Sequence, residues 1–254
     1  MIQANFLAVQ ENISLICRRL RRDAREVTLI GVTKYAQVED IKQAIDAGLL
    51  NVGENKVQEG QNKFPLLDEG ALKVTKHLIG HLQTNKVKQA LQYFDLLQSV
   101  DSLKLAEEIQ KQAAKLNRSV DILVQVNTAR EEQKFGADPS AAISLIESIS
   151  KLNHIRVLGL MTMAPFIDDK KIVRQCFRDL RILRDQVAEK FTLQPEGHGL
   201  QSVDECLRAG FRPWGSTASG NVRMKYLSMG MTDDYEIALE EGSNMVRVGR
   251  AIFK

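Results

Sequence analysis

Short apolar runs alternate with helix-patterned segments along this chain, and that alternation most strongly constrains its fold. Eight runs have the composition of buried strands, and apolar residues recur at helical spacing between them. Strict alternation of this kind is typical of parallel strands joined by crossover helices. The eight runs are LIGVTK, LNVGEN, KHLIG, FDLLQSV, DILVQVN, VLGLMTM, YLSMGM and MVRVG.

Eight strand-and-helix units in 254 residues predict a single α/β domain, a (β/α)8 TIM barrel. The segment from Ile2 to Arg22 is predicted as an extra N-terminal helix, filling the place of an outer helix that is missing after Phe253. A doubly wound open sheet is the alternative. It would require a glycine-rich phosphate loop after the first strand, and KYAQVED has no glycine there.

The charge and cysteine content exclude several classes of protein. The net charge is only +3, with 35 basic residues interleaved with 32 acidic ones, so we expect no nucleic-acid partner. Three cysteines without paired spacing, Cys17, Cys176 and Cys206, fit a reducing compartment. We find neither a signal peptide nor a membrane-spanning run, and therefore expect a cytoplasmic protein with no membrane partner.

Residues 192–224 interrupt the alternation. This stretch is rich in glycine and proline and contains His198 and the single tryptophan, Trp214. It follows a helix and precedes a strand, which in a barrel places it at the amino ends of the strands, away from the usual active-site face. We predict one domain over residues 1–254 with an insertion at 192–224 on the amino-end face. Deleting the insertion should leave ligand binding intact.

The predicted carboxyl ends of the strands are poor in acid–base groups. They show no Ser-His-Asp arrangement and no spaced Cys/His cluster, which disfavours hydrolase and metal sites. Strand one, however, ends in Lys34. Its ammonium either escapes to solvent or is an amine held in a pocket for chemistry, because a lone buried charge is costly. This stretch alone leaves both possibilities open.

Arg247 in the last strand shares a face with Met245 and Gly249, because side chains alternate along a strand. If that face looks into the barrel, the guanidinium needs an acceptor, either a carboxylate such as Glu54 or a ligand. Loops after strands seven and eight are the recurrent phosphate site of this fold, and SMGMTDD and VGRA fit that role. With Lys34 at the other end, the pattern suggests a phosphorylated aldehyde held as a Schiff base.

Seven segments resemble the pyridoxal phosphate homeostasis proteins, a family similar to the barrel domain of alanine racemase. They are LIGVTKYAQ, VGENKVQE, HLIGHLQTNK, VNTAREEQKFG, GLMTMAP, LSMGMTDDYEIA and VRVGRAIF. The resemblance covers nearly the whole chain in order and fails only over 192–224. It implies a TIM barrel of the alanine-racemase N-terminal type that binds pyridoxal 5′-phosphate.

The resemblance also implies roles for single residues around the cofactor. Lys34 would form the Schiff base, Asn55 would lie against the ring or its hydroxyl, and Arg247 would approach the pyridine nitrogen. His81 and Met161 match motif positions near the pocket. For His81, a role in fixing its loop is an equal alternative.

For the phosphate, the resemblance implies Ser228 together with the amides around Met229, Gly249 and Arg250. Arg250 departs from the family pattern, in which a small or hydroxylated residue often stands at this position. Donation from its amide would survive this change, whereas a hydroxyl contact would not.

The function implied is to hold pyridoxal phosphate and hand it over, in vitamin B6 homeostasis, without strong catalysis. A desolvated Lys34 would more often be neutral and attack the aldehyde. A permanently charged Arg247 would keep the pyridine nitrogen unprotonated and weaken the ring as an electron sink. A racemase also needs a second acid–base group from another domain, and because the chain stops at Lys254 we expect none.

The sequence is also compatible with two other functions. One is a weak amino-acid racemase or another pyridoxal-phosphate enzyme, and the other is a phosphate-ligand or partner-binding barrel with a structural Lys34. For the leading hypothesis, the expected partners are pyridoxal phosphate and the apo-forms of enzymes that use it. A monomer is expected.

Overall fold

Eight parallel strands close into a barrel in the order of the sequence. The computed structural model describes residues 1–68, 73–131, 133, 135–192 and 221–254. The strands are β1 (Thr28–Val32), β2 (Asn51–Glu54), β3 (Thr75–Leu78), β4 (Leu96–Val100), β5 (Val120–Gln125), β6 (Ile155–Met161), β7 (Val222–Met231) and β8 (Met245–Val248).

Helices follow the strands and form the outer layer. Two single turns of 3-10 helix, Ala24–Glu26 and Thr84–Lys86, precede β1 and α4. The α-helices are α1 (Ile2–Arg19), α2 (Val38–Asp46), α3 (Val57–Leu67), α4 (Val87–Tyr93), α5 (Leu103–Lys115), α6 (Ala142–Ile149), α7 (Lys170–Thr192), α8 (Tyr235–Glu240) and α9 (Arg250–Phe253).

Closure of the barrel confirms the predicted fold class and makes the open-sheet alternative wrong. β1 pairs with β8 as well as with β2, so that Ile30 lies opposite Arg247 and Gly31 lies opposite Val52. The predicted N-terminal helix is present as α1. It lies against α9 at the end of the chain, where Asn5 Nδ2 donates to the carbonyl oxygen of Ile252 at 3.2 Å.

Two hydrophobic layers form because side chains alternate across each strand. Outward-facing residues pack against the helices in one extensive core. A smaller cluster fills the barrel interior with Ile30, Leu96, Leu123, Met161 and Met245. No helix in the described part of the chain is both long enough and apolar enough to cross a membrane.

Several boundaries differ from the predictions. β1 ends at Val32, two residues before Lys34, and α2 ends at Asp46. Gly48 terminates α2: its φ is +108°, and the amide of Leu49 donates to Ala44 O at 2.9 Å. The short helix α9 was missed because four residues are too few for a periodic pattern to appear.

The proposed insertion falls mostly outside the described residues. Residues 193–220, including His198 and Trp214, belong to this undescribed part, so the insertion and its amino-end placement stay predictions. β7 begins at Val222, so the last residues of the predicted insertion lie in this strand. A deletion test should therefore stop at residue 220, before the strand.

We predict that Gly159→Ala destabilises the protein far more than Gly48→Ala. Both glycines have positive φ, which costs an L-residue about 1–2 kcal/mol. A Cβ at Gly48 would meet nothing closer than 3.9 Å, whereas at Gly159 it would lie 1.9 Å from the carbonyl oxygen of Tyr226. We expect a loss of roughly 3–5 kcal/mol for Gly159→Ala by urea unfolding. Equal losses in the two variants would contradict this account.

Candidate functional site

Lys34 lies in a turn at the carboxyl end of β1. The turn is closed by a hydrogen bond from the amide of Ala36 to Thr33 O at 3.0 Å, which leaves Lys34 and Tyr35 at its tip. Both side chains are exposed, and Lys34 Nζ lies 5.1 Å from the centroid of the Tyr35 ring. The expectation of a desolvated amine is therefore wrong in this structure, because the strand stops before the lysine and the turn carries it into solvent.

Arg247 points into the barrel and is 3% exposed. Its guanidinium donates to Ser228 Oγ at 2.6 Å and to Thr162 O at 2.8 Å. The predicted alternative of an ion pair with Glu54 is wrong, and no carboxylate within the described ranges lies within 4 Å of this guanidinium. Burial lowers the pKa of Arg247 to about 10, against the opposing charge of Asp234. At neutral pH the guanidinium still carries its charge.

A chain of hydrogen bonds between neutral side chains leads from the Arg247 partner Ser228 across the barrel interior. Ser228 Oγ donates to Gln98 Oε1 at 2.7 Å, Gln98 Nε2 donates to His77 Nδ1 at 2.9 Å, and His77 Nε2 meets Asn51 Oδ1 at 3.1 Å. With Nδ1 accepting, the ring carries its proton on Nε2. Every link then has one donor and one acceptor, so the chain holds Arg247 without a buried counter-charge.

Sequence reasoning missed Gln98 and His77 as supports of the site. Both are polar residues within otherwise apolar strands, and that was the available signal. Their partnership depends on contacts between strands that are distant in sequence. Among the described residues, no group of three or more His, Cys, Asp or Glu side chains is arranged to hold a metal ion.

Ser228 lies within β7, before the strand ends, whereas a side chain that binds phosphate would be expected at the carboxyl end of the strand. It stands opposite Met245 and Met161 in the ladders, while β7 continues to Met231. Its hydroxyl is already bonded to Gln98 and Arg247. Met161 belongs to the interior cluster, whereas the Met229 side chain packs in the outer core. The Met229 side chain is thus turned away from the barrel interior, and its predicted amide role stays a prediction.

Gly249 and Arg250 begin α9 directly beside the end of β1. A Cβ on Gly249 would lie 3.1 Å from Val32 O, so the glycine permits close approach of the β1 and β8 ends. The exposed Arg250 side chain is paired with Asp233 at the surface. Its amide lies in the first turn of α9, and its predicted role in binding phosphate stays a prediction.

Asn55 and His81 meet across two neighbouring loops. A Cβ on Gly80 would lie 2.2 Å from Asn55 O, so the two loops touch, and both residues line one surface cavity of about 300 Å³. His81 stacks on Phe135, with ring centroids 3.9 Å apart, and its Nδ1 lies 4.0 Å from Asp101 Oδ2. These contacts favour the loop-fixing role of His81 that the sequence left open.

The fold and the residues at its carboxyl end define a class: a parallel barrel with a lysine turn after β1 and a buried arginine in β8. A model of the family "Alanine racemase, N-terminal domain" matches residues 5–207. The chain is 36% identical to the pyridoxal phosphate homeostasis protein of Aquifex aeolicus, over 96% of this chain and 94% of that protein. The homologue of that name from Pasteurella multocida is 32% identical, over 99% and 96%.

Solved structures agree with this likeness. PipY of Synechococcus elongatus, in a structure with pyridoxal phosphate bound, superposes with a TM-score of 0.74 at 29% identity, covering 95% of this chain and all of PipY. Alanine racemase of Clostridium difficile gives 0.71 at 16% identity over 98% of this chain and 56% of the racemase, which shows the shared fold. The chain belongs to the family of the pyridoxal phosphate homeostasis proteins.

We predict that His77→Gln makes the stability of the protein less sensitive to acid. Burial lowers the pKa of His77 from 6.5 to about 3, so the unfolded state binds the extra proton between these values. Stability should therefore fall as the pH drops through this window, by about 1.4 kcal/mol per pH unit from this group.

Urea unfolding at a series of pH values would reveal this slope, and His77→Gln should flatten it. His154→Gln, at a half-buried histidine outside the barrel interior, is the matched control and should keep the slope of the original protein. An unchanged slope in His77→Gln would contradict the assignment of a buried neutral imidazole.

Proposed function

We propose that this chain binds pyridoxal phosphate at the carboxyl end of the barrel, with Lys34 holding the aldehyde as a Schiff base. The observation that carries the proposal is the pairing of β1 with β8, whose strands lead to an exposed amine at Lys34 and hold the buried guanidinium of Arg247, which is hydrogen-bonded to neutral groups. PipY, a relative of similar length, has pyridoxal phosphate bound. We infer a homeostasis protein that stores or transfers the cofactor.

The donors present fit such a ligand. An amine at Lys34 suits an aldehyde, and Arg247 suits an acceptor such as the pyridine nitrogen. The amides at the starts of α8 and α9 follow β7 and β8 and suit a phosphate. The backbones of Met229 and Gly249 would join them. Ser228 would contribute indirectly, because its hydroxyl accepts a hydrogen bond from Arg247. It would bind the ligand directly only if its hydroxyl gave up a present partner.

Bound pyridoxal phosphate supplies an electrophilic carbon and an electron-withdrawing ring. Arg247 limits what this ring can do, because a guanidinium of pKa about 10 keeps its own proton at neutral pH and can only donate. The neutral chain through Ser228 and Gln98 fixes its orientation. These residues therefore favour binding over carbanion chemistry, and we propose that the protein is not a strong catalyst.

One observation favours the second candidate, a weak racemase or related enzyme. Tyr35 lies in the same turn as Lys34 and is 73% exposed, so a phenol stands beside the amine. A racemase requires a second acid–base group, and Tyr35 is the tyrosine among the described residues that is closest to that role. Tyr235, by contrast, accepts a hydrogen bond from Asn12 on α1.

We further propose a cytoplasmic monomer that passes its cofactor to apo-enzymes. Cys17 is a buried, free thiol, which fits a reducing compartment. The exposed Lys34 turn would let a recipient or a free amine reach the cofactor. Light scattering on the purified protein should give a mass near 28.5 kDa, and a mass of twice this value would contradict the monomer.

Borohydride reduction of the protein loaded with pyridoxal phosphate should fix a pyridoxyl group on Lys34. Peptide mass mapping would locate it, and Lys34→Ala should abolish the adduct, because the nearby Lys63 amine is already engaged by Thr33 O and Glu54. Lys42→Ala, at an exposed lysine on α2, is the control and should label normally. Failure to find an adduct on Lys34 would refute the Schiff-base proposal and leave the structural-lysine alternative.

Loaded protein incubated with enantiopure amino acids should not racemise them faster than free pyridoxal phosphate does. Chiral chromatography over time measures this directly. Turnover well above that of the free cofactor, lost in Tyr35→Phe, would favour the enzyme instead.

A further inference from the structure

The turn that carries Lys34 is anchored at one residue, Thr33. Its amide donates to Gly53 O at 3.0 Å, and its carbonyl oxygen accepts from Ala36 N at 3.0 Å and from Lys63 Nζ at 2.9 Å. Its hydroxyl donates to Glu54 Oε1 at 2.7 Å. Every polar group of the residue before Lys34 is therefore occupied, and two of its partners are charged side chains from β2 and α3.

Those two side chains form a largely buried ion pair. Lys63 Nζ lies 3.0 Å from Glu54 Oε1; the Lys63 side chain is 13% exposed and that of Glu54 is not exposed at all. Glu59, one turn away on α3, adds a second carboxylate 3.4 Å from the same amine. The charges thus converge beneath the Lys34 turn, on the outer side of the barrel wall.

Stability alone is a weak explanation for this pair. Desolvating two charges costs about as much as their attraction returns, so an apolar pair would stabilise the fold equally well. Glu54 also keeps one buried oxygen, Oε2, without a hydrogen-bond partner. Burial accordingly raises the pKa of Glu54, although Thr33 and Lys63 oppose the shift. The pair does hold Thr33 in place, because Glu54 accepts from its hydroxyl and Lys63 donates to its carbonyl oxygen.

We propose that Glu54 and Lys63 are positioning residues, which clamp Thr33 so that the adjacent Lys34 amine is held toward the barrel mouth. The proposal deepens the proposed function and rests on it. Neither residue touches the ligand: they lie on the other side of β1 and act through the backbone of the turn. Loss of the clamp should weaken cofactor binding while the barrel stays folded.

The first test is Lys63→Met, which keeps the stem of the side chain and removes the charge. Because a hydrogen bond to a charged group is lost, we expect affinity for pyridoxal phosphate to fall roughly tenfold. The pH midpoint of the absorbance change of the bound cofactor should also move. Lys76→Met is the matched control: Lys76 is 14% exposed and paired with Asp68, but is remote from the Lys34 turn.

A second pair of variants separates positioning from stability. Thr33→Val has nearly the same shape and removes only the hydroxyl, so it should weaken binding and move the absorbance midpoint, whereas Thr33→Ser should restore both. Thermal unfolding of each unloaded variant shows whether the fold is kept.

The proposal is overturned if folded Lys63→Met and Thr33→Val bind and titrate like the original protein. It is also overturned if Lys76→Met has an equal effect, or if Thr33→Ser fails to restore binding in a folded protein. If the proposed function itself is wrong, the result is distinguishable: the original protein gives no adduct on Lys34 after borohydride reduction.

Discussion

The pairing of β8 with β1 is the interaction on which the candidate site depends. Lys34 and Arg247 lie near opposite ends of the chain, and only closure of the sheet brings their strands side by side. In an open sheet these two strands would be separate edges, each with unpaired backbone groups. Gly249 permits the ends of β1 and β8 to lie close together, because a side chain at this position would press against Val32. The hydrogen-bonded pairing thus places side by side the two strands that lead to Lys34 and carry Arg247.

Burying Arg247 is expensive, and the barrel interior shows how the cost is offset. A guanidinium removed from water requires acceptors, and the barrel supplies neutral ones, Ser228 Oγ and Thr162 O, in place of a carboxylate. Ser228 accepts properly only because Gln98 takes its proton, and Gln98 is in turn oriented by His77. The charge of Asp234 offsets part of the resulting positive potential, but Arg247 has no carboxylate as a direct hydrogen-bond partner among the described residues.

Much of this architecture could be predicted from sequence, for a physical reason. Strand and helix periodicities are local, so the eight alternating units and the face that Arg247 shares with Met245 follow from residue spacing. Contacts between distant strands are not local. The link from Gln98 to Ser228, the depth of Ser228 and the clamp of Lys63 on Thr33 depend on the ladder registers, which spacing does not reveal. Spacing left the exposure of Lys34 open because the end of a strand is the least certain feature of a periodic pattern.

The open position of the Lys34 turn determines how the site would respond to its surroundings. An amine at a buried centre is reached only when a loop opens, so the rate of loop motion governs exchange. An amine in solvent instead follows mass action: occupancy rises with free aldehyde and falls as competing amines accumulate. With the proposed ligand, the fraction of the protein that carries the cofactor would follow the ratio of free cofactor to amino acids. The loaded and unloaded states would differ at one exposed side chain.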